Sequence, residues 1–334
     1  MSDTSPTRAS GSPLLDVRDL RVAFNTPDGV LDAVRGISFS VDRGKVLGIV
    51  GESGSGKSVA TQTMVGLTRG ARVSGEAVFE GKNLLAMSAD ELRAIRGRGI
   101  AMIFQNPLSS LHPLYRVGWQ IVEMIQAHEA MTTQQARARA IELLGLVGIA
   151  KPDRRVDDYP HQFSGGMLQR AMIAMALALN PKLLVADEPT TALDVTVQAQ
   201  ILRLLRRVQQ EFGMAVILIT HDLGVIADVA DDVVVMYAGR AMEVATRREL
   251  FRAPHNPYTR GLLASIPRAD GNGARLTPIP GQPPSAIASP PGCPFHPRCA
   301  DVIDRCRADV PRLTVVNGAD PHLSACWSRE EARS

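Results

Sequence analysis

The stretch Gly51-Glu52-Ser53-Gly54-Ser55-Gly56-Lys57-Ser58 decides the fold of this 334-residue chain. It has the pattern of glycine, four variable residues, glycine, lysine, and then serine or threonine, which is typical of a phosphate-binding loop. Its glycines let the backbone wrap closely around phosphate oxygens. Lys57 can reach the β- and γ-phosphates, and the Ser58 hydroxyl can bind Mg²⁺. The stretch predicts nucleotide binding but does not by itself specify an enzyme.

The flanking sequence supplies the setting that this motif requires. The apolar run Val46 to Val50 before it is typical of a strand buried on both faces, and a helix is expected from Ser58 to Leu67. An incidental glycine-rich turn is the lesser alternative, since the bare pattern arises by chance in roughly one chain in a hundred of this length. The full set of expected nucleotide contacts in this stretch is Gly51, Ser53, Gly54, Ser55, Gly56, Lys57, Ser58 and Val59.

The rest of the chain alternates apolar runs with helical patterns. Further strands are predicted at Leu14 to Val17, Leu20 to Phe24, Ile37 to Val41, Leu183 to Ala186 and Val216 to Thr220. Helices are predicted at Val117 to His128, Gln134 to Val147, Leu168 to Leu179 and Val195 to Phe212. This alternation predicts an α/β fold with a mainly parallel sheet.

Composition narrows the class of protein. The hydrophobic fraction is 45%, the charged fraction is 21% and the net charge is +3, which is too balanced to favour nucleic acid. No run approaches the length of a membrane-spanning helix, and the Ser/Thr/Gly-rich residues 1–13 are expected to be disordered and lack the apolar core of a secretory signal. A cytosolic location is therefore expected. Prolines become frequent after Pro254, which predicts a domain boundary near residue 255.

Two acids follow the predicted strand Leu183 to Ala186. Asp187 would complete the Mg²⁺ shell, and Glu188 would be the general base that polarises the attacking water. Acids at strand ends are common, but the upstream phosphate-binding loop favours this functional interpretation. Before these acids in the chain, Phe163-Ser164-Gly165-Gly166-Met167 begins a helical run and could form a second phosphate-binding terminus, although alone it would indicate only a capped helix.

Together these motifs resemble an ABC transporter ATPase subunit. Ser164-Gly165-Gly166 resembles the signature motif of that family, and Asp187 and Glu188 match its Walker B pair. Phe163 and Met167 depart from the usual leucine and glutamine, a departure common in the peptide-importer branch.

Further positions match the family in order along the chain. Gln105 matches the Q-loop glutamine, which binds Mg²⁺ and senses the γ-phosphate, and Ala192-Leu193-Asp194 matches the D-loop. His221 matches the switch histidine, and Phe24 lies where the family stacks an aromatic ring on adenine, with simple structural roles as the alternatives for both. The resemblance implies catalytic roles for Glu188, His221 and Gln105 and contacts to ATP by Ser164, Gly165 and Gly166.

The resemblance also implies an architecture. The expected fold is a P-loop, ABC-type nucleotide-binding domain at 14–255, with an antiparallel β subdomain and an inserted helical subdomain at about 106–180. Two such subunits would face each other head to tail, each ATP lying between the phosphate-binding loop of one and the signature motif of the other.

The C-terminal residues 256–334 resemble an extension found in oligopeptide, dipeptide and nickel importers. The residues that carry this resemblance are His255-Asn256-Pro257-Tyr258-Thr259-Arg260 and Cys293-Pro294-Phe295-His296-Pro297-Arg298-Cys299. It implies a peripheral subunit at the cytoplasmic face of the inner membrane, with two membrane permeases and an extracytoplasmic solute-binding protein as partners. It also implies a second ATPase, expected to differ from this chain, although a copy of the chain stays open. Peptide is the favoured solute, with nickel and other small solutes as alternatives.

All four cysteines, Cys293, Cys299, Cys306 and Cys326, lie in this extension. Four thiolates suit an iron–sulfur cluster or a structural zinc ion, and some peptide-importer extensions resemble a [4Fe–4S]-binding module. The favoured interpretation is a [4Fe–4S] cluster that makes the extension a small metal-binding module. Zn²⁺, with His296 or His322 able to replace one cysteine, and four reduced thiols without metal are the alternatives.

Three other functional classes fit the sequence less well. ABC ATPases of DNA repair or translation usually carry two cassettes or a long coiled-coil insertion, and this chain has neither. Exporter ATPases normally lack this extension. A protein that holds ATP without hydrolysing it would not need Glu188 and His221.

Overall fold

The computed structural model describes residues 12–191, 193–266, 278–316 and 322–331. The expectation of disorder for residues 1–13 therefore lies almost entirely outside the described residues. The chain forms two compact units. One contains the described residues of Met1–Ala86 and Thr220–Ser334 and is called the P-loop unit; the other, Met87–Ile219, is called the helical unit.

Strands and helices alternate along much of the chain. The strands are β1 Leu15–Thr26, β2 Gly29–Val41, β3 Val46–Val50, β4 Ala71–Phe79, β5 Lys82–Asn83, β6 Ile100–Ile103, β7 Leu183–Asp187, β8 Ala215–Thr220, β9 Asp232–Tyr237, β10 Arg240–Thr246, β11 Thr314–Val315 and β12 Leu323–Ser324. The helices are α1 Lys57–Met64, α2 Ala89–Ile95, α3 Pro107–Ser110, α4 Val117–Gln126, α5 Thr133–Leu146, α6 Pro152–Arg155, α7 Gly165–Leu177, α8 Val195–Phe212, α9 Leu223–Val229, α10 Arg247–Arg252, α11 Pro257–Ala264, α12 Arg305–Ala308 and α13 Trp327–Glu331.

An antiparallel sheet in the P-loop unit has the strand order β2-β1-β4-β5. The two short strands predicted at Leu14 to Val17 and Leu20 to Phe24 form one bulged strand, β1. The pairing with β2 shifts between Val17 and Leu20, where Asp19 adopts a φ of 43° and its N–H donates to Ser38 Oγ. The polar pair before Leu20 interrupts the apolar pattern because it occupies this bulge.

The second sheet of the P-loop unit carries the phosphate-binding loop. Strand β3 is fully buried and runs parallel to β9, while β9, β10, β12 and β11 follow one another in antiparallel pairs. A side chain at Gly48 would place its Cβ 2.6 Å from Ile226 of α9, so glycine allows this helix to pack closely on β3.

The helical unit contains a parallel sheet in the order β6-β7-β8. Strands β7 and β8 are buried along their whole length, which explains their continuous apolar sequences. Helices α4, α5 and α7 pack together beside this sheet. At Gly118 of α4 an added Cβ would lie 2.5 Å from the Val156 carbonyl oxygen, so the glycine permits close backbone approach.

Hydrogen bonds join β10 to the C-terminal extension that begins at residue 256, whose described part is called the C-terminal segment. Glu243, which is fully buried, accepts hydrogen bonds from the backbone N–H groups of His255 and Asn256 and pairs with His322 Nε2 at 2.7 Å. The Asn256 side chain donates to the carbonyl oxygens of Met242 and Ala325. The domain boundary near residue 255 stays a prediction, and these bonds tie both sides of it together within the P-loop unit.

Within the described ranges, no helix combines the length and the apolar character needed to cross a membrane.

Candidate functional site

The phosphate-binding loop joins β3 to α1 and depends on its glycines. Gly51 has a φ of 156°, and a Cβ there would lie 2.1 Å from the Met236 carbonyl oxygen. Gly56 has a φ of 94°, and a Cβ there would lie 2.3 Å from the Ala33 carbonyl oxygen. Any side chain at either position would collide with backbone, so the loop holds its curvature only with glycine.

Lys57 is buried at the centre of this loop, with a relative exposure of 5%. Its Nζ donates to the carbonyl oxygens of Gly51 at 2.8 Å and Glu52 at 3.0 Å and to Ser55 Oγ at 3.3 Å. These acceptors satisfy the ammonium group and hold it where the loop closes.

The other predicted loop residues surround this lysine. Ser53 and Gly54 are exposed at the tip, Ser55 is buried, and Ser58 and Val59 are half-buried on the first turn of α1. Gly56 is the N-cap of α1, and no side chain caps that end. The helix start therefore presents backbone N–H groups and the positive end of its dipole toward the loop.

Asp187 and Glu188 lie at the carboxyl end of β7 in the helical unit. Asp187 is buried, with 3% exposure, and Glu188 is half-buried. Glu188 adopts a φ of 45°, a left-handed conformation that is strained for a glutamate, and its N–H donates to the Ile219 carbonyl oxygen. Such strain at a carboxylate is typical of a functional position.

The structure brings Gln105 together with Glu188. Gln105 follows β6, and its Nε2 donates to Glu188 Oε2 at 3.0 Å. Thr191 Oγ1 donates to the same oxygen at 2.9 Å. Two donors thus orient the carboxylate predicted to be the general base, and Thr191 is a contact that the sequence motifs did not indicate.

Ser164 begins α7, as the sequence predicted. It is exposed, and its Oγ accepts from the Met167 N–H at 3.4 Å, so it is the N-cap. A Cβ at Gly166 would lie 2.9 Å from Val197 Cγ1, which leaves little room for a larger residue. The exposed Ser164 and Gly165 form a helix start that is open to a ligand.

Two predicted D-loop residues are described, while Ala192 lies outside the described residues. Asp194 caps α8 by accepting from the N–H groups of Thr196 and Val197, both at 3.0 Å. The Leu193 N–H donates to the Thr190 carbonyl oxygen.

His221 and Phe24 lie in the P-loop unit. His221 is exposed directly after β8, and the next residue, Asp222, caps α9. Phe24 is half-buried on β1, opposite Leu31 of β2 and Ala71 of β4. Part of its ring is therefore exposed and available for stacking. That these residues and those of the helical unit serve one ATP site stays a prediction.

All four cysteines line one small cavity, together with Phe295, His296 and Trp327. None forms a disulfide bond, and the Cys293 N–H donates to the Cys306 carbonyl oxygen at 2.8 Å. Burial raises the pKa of Cys293 to about 12 and that of Cys299 to about 11, and it also raises the pKa of Cys326. Metal-free, these thiols stay protonated near neutral pH and react slowly.

The arrangement of the four cysteines in this cavity tests whether they fit a metal ion or cluster. Among the residues that the structure describes, no group of three or more His, Cys, Asp or Glu side chains is arranged to hold a metal ion. The four thiols do share one cavity, and the three neighbouring sulfurs add to the effect of burial in raising the pKa of Cys293. The predicted zinc ion and [4Fe–4S] cluster are thus unsupported as formed sites, while the donor set matches the four thiolates of a cluster.

Sequence reasoning did not predict the contact of Arg298 with the phosphate-binding loop. Arg298, in the C-terminal segment, binds the Glu52 carboxylate across 246 positions of sequence. The local sequence does not indicate this ion pair. Glu52 occupies one of the variable positions of the phosphate-binding motif, and the C-terminal motif gives no reason for Arg298.

Two known families match the sequence. The family described as ABC transporter matches residues 34–191, and the family described as oligopeptide/dipeptide transporter, C-terminal region, matches residues 242–306. The second match begins in β10 and ends at Cys306.

Curated relatives match nearly the whole chain. The oligopeptide transport ATP-binding protein OppD of Haemophilus influenzae is 50% identical over 321 residues, which cover 96% of this chain and 98% of that protein. The dipeptide transport ATP-binding protein DppD of Bacillus subtilis is 49% identical over 321 residues, which cover 95% of each chain.

Solved structures match the cassette. A dimeric ATP-binding cassette in a post-hydrolysis state with ADP and phosphate bound has a TM-score of 0.63 at 28% identity, covering 70% of this chain and 99% of its own. The protein cbiO1 of Clostridium perfringens, part of the ABC transporter complex cbiONQ, has a TM-score of 0.61 at 30% identity, covering 73% of this chain and 92% of its own.

Proposed function

The chain belongs to the ATP-binding subunits of ABC transporters, and we propose that it powers the import of oligopeptides or dipeptides across the cytoplasmic membrane. The observation that carries this proposal is near-full-length identity of about one half to both oligopeptide and dipeptide transport ATP-binding proteins. The C-terminal family match favours peptide over the other small solutes.

ATP hydrolysis in this proposal begins with the phosphate-binding loop. Lys57 gives up some of its hydrogen bonds to the carbonyl oxygens of Gly51 and Glu52 so that its ammonium group reaches the β- and γ-phosphates. The N–H groups at the start of α1 bind phosphate oxygens. Phe24 stacks on the adenine ring. These contacts hold the triphosphate and neutralise its charge.

Three oxygen-bearing side chains would hold Mg²⁺, whose preference for oxygen ligands fits the Ser58 hydroxyl, the Gln105 amide and the Asp187 carboxylate. The ion, when bound, would neutralise charge on the β- and γ-phosphates. Release of Gln105 to this role would remove its hydrogen bond to the Glu188 carboxylate and leave that from Thr191 in place.

Glu188 then orients and polarises a water for in-line attack on the γ-phosphorus, and the bond to the β–γ bridging oxygen breaks to give ADP and phosphate. His221, exposed after β8, contacts the γ-phosphate. The strained backbone of Glu188 fixes the direction of its carboxylate at the end of β7.

The exposed start of α7 supplies the link to transport. Ser164, Gly165 and Gly166 would bind the nucleotide held by a second, facing ATPase subunit, so that ATP joins the two subunits and hydrolysis releases them. Two membrane permeases, against which the chain lies peripherally at the cytoplasmic face, follow this motion. A solute-binding protein outside the membrane delivers the peptide. The second ATPase is proposed to be a different protein.

Replacement of the central lysine tests the enzymatic part. Lys57→Ala should reduce ATP hydrolysis by more than about a hundredfold, because several phosphate contacts are lost with the charge. Lys182→Ala is the matched control, because Lys182 is an exposed lysine that follows α7. This variant should hydrolyse ATP at the normal rate. Equal hydrolysis by both variants would refute the assignment of the loop.

The C-terminal cysteines are proposed to bind a [4Fe–4S] cluster. Four cysteines lining one cavity match the usual ligand set of such a cluster, and ligation would convert to thiolates the thiols that burial otherwise keeps protonated. Iron, sulfide and zinc analysis of protein purified without oxygen tests this. About four irons and four sulfides per chain support the cluster; zinc alone, or no metal, refutes it and leaves the ATPase proposal standing.

A further inference from the structure

We propose that Arg298, in the C-terminal segment, is a positioning residue for ATP binding, because it holds Glu52 of the phosphate-binding loop and, through Glu52, the Lys57 ammonium. The inference rests on the proposed role of that loop as the triphosphate site. It assigns to the extension a part in nucleotide affinity, in addition to any metal that its cysteines bind.

The contact between Arg298 and Glu52 is a partly buried, bidentate ion pair. The two terminal nitrogens of Arg298 donate to the two carboxylate oxygens of Glu52, at 2.6 Å and 3.0 Å. The Arg298 side chain is only 5% exposed, and that of Glu52 is 27% exposed. Paired donors on a planar guanidinium fix both the distance and the direction of the carboxylate, which a single-point contact would not do.

Arg298 is itself held rigidly. Its Nε donates to the Pro280 carbonyl oxygen at 2.8 Å, and one terminal nitrogen also donates to the Tyr237 hydroxyl at 3.2 Å. The hydrogen bonds to Glu52, together with the Tyr237 hydroxyl, raise the pKa of Arg298, although burial opposes them. The guanidinium is therefore a fixed positive charge beside the loop.

Glu52 passes this constraint to Lys57. Its N–H donates to the buried Tyr258 hydroxyl at 3.0 Å, so Glu52 is fastened to the C-terminal segment by backbone as well as side chain. Its carbonyl oxygen accepts from Lys57 Nζ at 3.0 Å and from the Ser55 N–H at 3.2 Å. A shift of Glu52 would consequently move an acceptor of the Lys57 ammonium.

The positive charge of Arg298 is a second reason why the ion pair should favour ATP binding. Without Arg298, Glu52 would leave an uncompensated carboxylate in the loop that receives a triphosphate, and like charges repel strongly where water is partly excluded. Arg298 cancels that charge by pairing with both carboxylate oxygens of Glu52. Since buried ion pairs contribute little net stability, positioning explains the pair better than stability alone.

The alternative is that Arg298 only fastens the C-terminal segment. A double-mutant cycle separates the two roles, because coupled residues give non-additive effects whereas independent ones do not. The variants are Arg298→Ala, Glu52→Ala and the double variant, with Arg312→Ala as control, since Arg312 is an exposed arginine in the same segment. Arg298→Lys and Glu52→Gln keep the shape of the site if the alanine variants fold poorly.

The readouts are the ATP dissociation constant of the full-length chain, and KM and kcat of its hydrolysis. Arg298→Ala should weaken ATP binding by about tenfold and raise KM, with kcat at saturating ATP changed by less than about threefold. The double variant should bind no more weakly than Arg298→Ala, and Arg298→Lys should recover only part of the affinity, because lysine makes one contact in place of two.

Two results would overturn the inference: ATP affinity unchanged in folded Arg298→Ala, or losses in Arg298→Ala and Glu52→Ala that multiply in the double variant. Either would leave Arg298 a fastener of the segment. Failure of the underlying loop assignment would look different, since Lys57→Ala would then bind and hydrolyse ATP normally.

Discussion

Glu188 is the residue on which the proposed chemistry depends most directly. Its backbone takes a left-handed conformation, and Gln105 and Thr191 hold one carboxylate oxygen. An unfavourable backbone conformation next to a carboxylate held by two side-chain donors indicates that the direction of the carboxylate matters more than local stability.

Replacement by glutamine tests this residue. Glu188→Gln should bind ATP with a dissociation constant within about threefold of the unmodified protein but lower kcat by about a hundredfold or more, because an amide cannot act as base. Equilibrium binding and phosphate release measure the two quantities. Glu211→Gln, an exposed glutamate at the end of α8, is the control. Unchanged hydrolysis by Glu188→Gln would refute the role of general base.

At this scale, motif spacing predicted residue identities but not contacts. The pattern around Lys57 predicts its role because glycine, lysine and serine have chemistry that follows from their order in one loop. It gives no indication of Arg298 or Thr191, since a side-chain contact between distant segments has no local signal. The role of each predicted site residue stays a prediction.

Helix α7 is the element that tests the proposed pairing of two subunits. Ser164→Ala should leave the ATP dissociation constant of the isolated chain unchanged, because the exposed start of α7 serves the nucleotide of the facing subunit. ATP hydrolysis by the assembled transporter should fall by about tenfold or more. Titration of the isolated chain and assay of the purified complex measure these effects.

Loss of a helix cap alone must be separated from this effect. Thr132→Ala is the matched control, because Thr132 caps α5 in the same manner and its loss costs about 1 kcal/mol of stability. If both cap variants reduce hydrolysis equally, the role of Ser164 is structural and the pairing proposal fails.

The ion pair between Arg137 of α5 and Asp157, which follows α6, predicts that the stability of the fold depends on pH. Hydrogen bonds from Arg137, at 2.9 Å and 2.7 Å, are the main cause of a lowered pKa at Asp157. A depressed carboxyl pKa gives stability that is present above the ordinary value of 3.8 and is lost as pH falls through the folded value. The pair is partly exposed, so its contribution should stay below about 1 kcal/mol.

Urea unfolding followed by tryptophan fluorescence checks this, since Trp119 lies in α4 of the same unit. Asp157→Asn should lower the free energy of unfolding near neutral pH. As the pH falls below the ordinary carboxyl pKa of 3.8, the free energy of unfolding should decrease less in this variant than in the unmodified protein. Asp153→Asn, at an exposed position, is the control. Equal acid sensitivity of Asp157→Asn and the unmodified protein would contradict the assignment.

Elements were predicted well where periodicity is strong. Helix α8 begins and ends where predicted, and α4, α5, β3, β7 and β8 lie within two residues of their predicted limits. The hairpin of β9 and β10 was not predicted, although β9 carries an apolar run that pairs directly with β3. The short strand β12 pairs with β10, and the short strand β11 pairs with β12, so both depend on contacts between distant segments that no local pattern reports.

The whole molecule combines an ATPase cassette with a C-terminal segment fastened onto the same unit. Glu243 and Asn256 bind this segment to β10, and Arg298 binds it to the phosphate-binding loop. Composition predicted a domain boundary near residue 255 because prolines follow Pro254, and that boundary stays a prediction. These contacts had no local signal, because composition reports local chain stiffness and not contacts between distant segments. Family membership and peptide-type extension, in contrast, follow from motifs that the comparisons confirm.

The most direct measurement is peptide uptake by the complete transporter, purified with its membrane subunits and reconstituted in lipid vesicles with its solute-binding protein. With ATP on the side of this chain, labelled oligopeptide or dipeptide should accumulate, and vesicles that contain Glu188→Gln should show no accumulation above the ATP-free level. Nickel, offered in place of peptide, should not be taken up. Peptide uptake undiminished by Glu188→Gln, or ATP-driven uptake of nickel without peptide, would contradict the account.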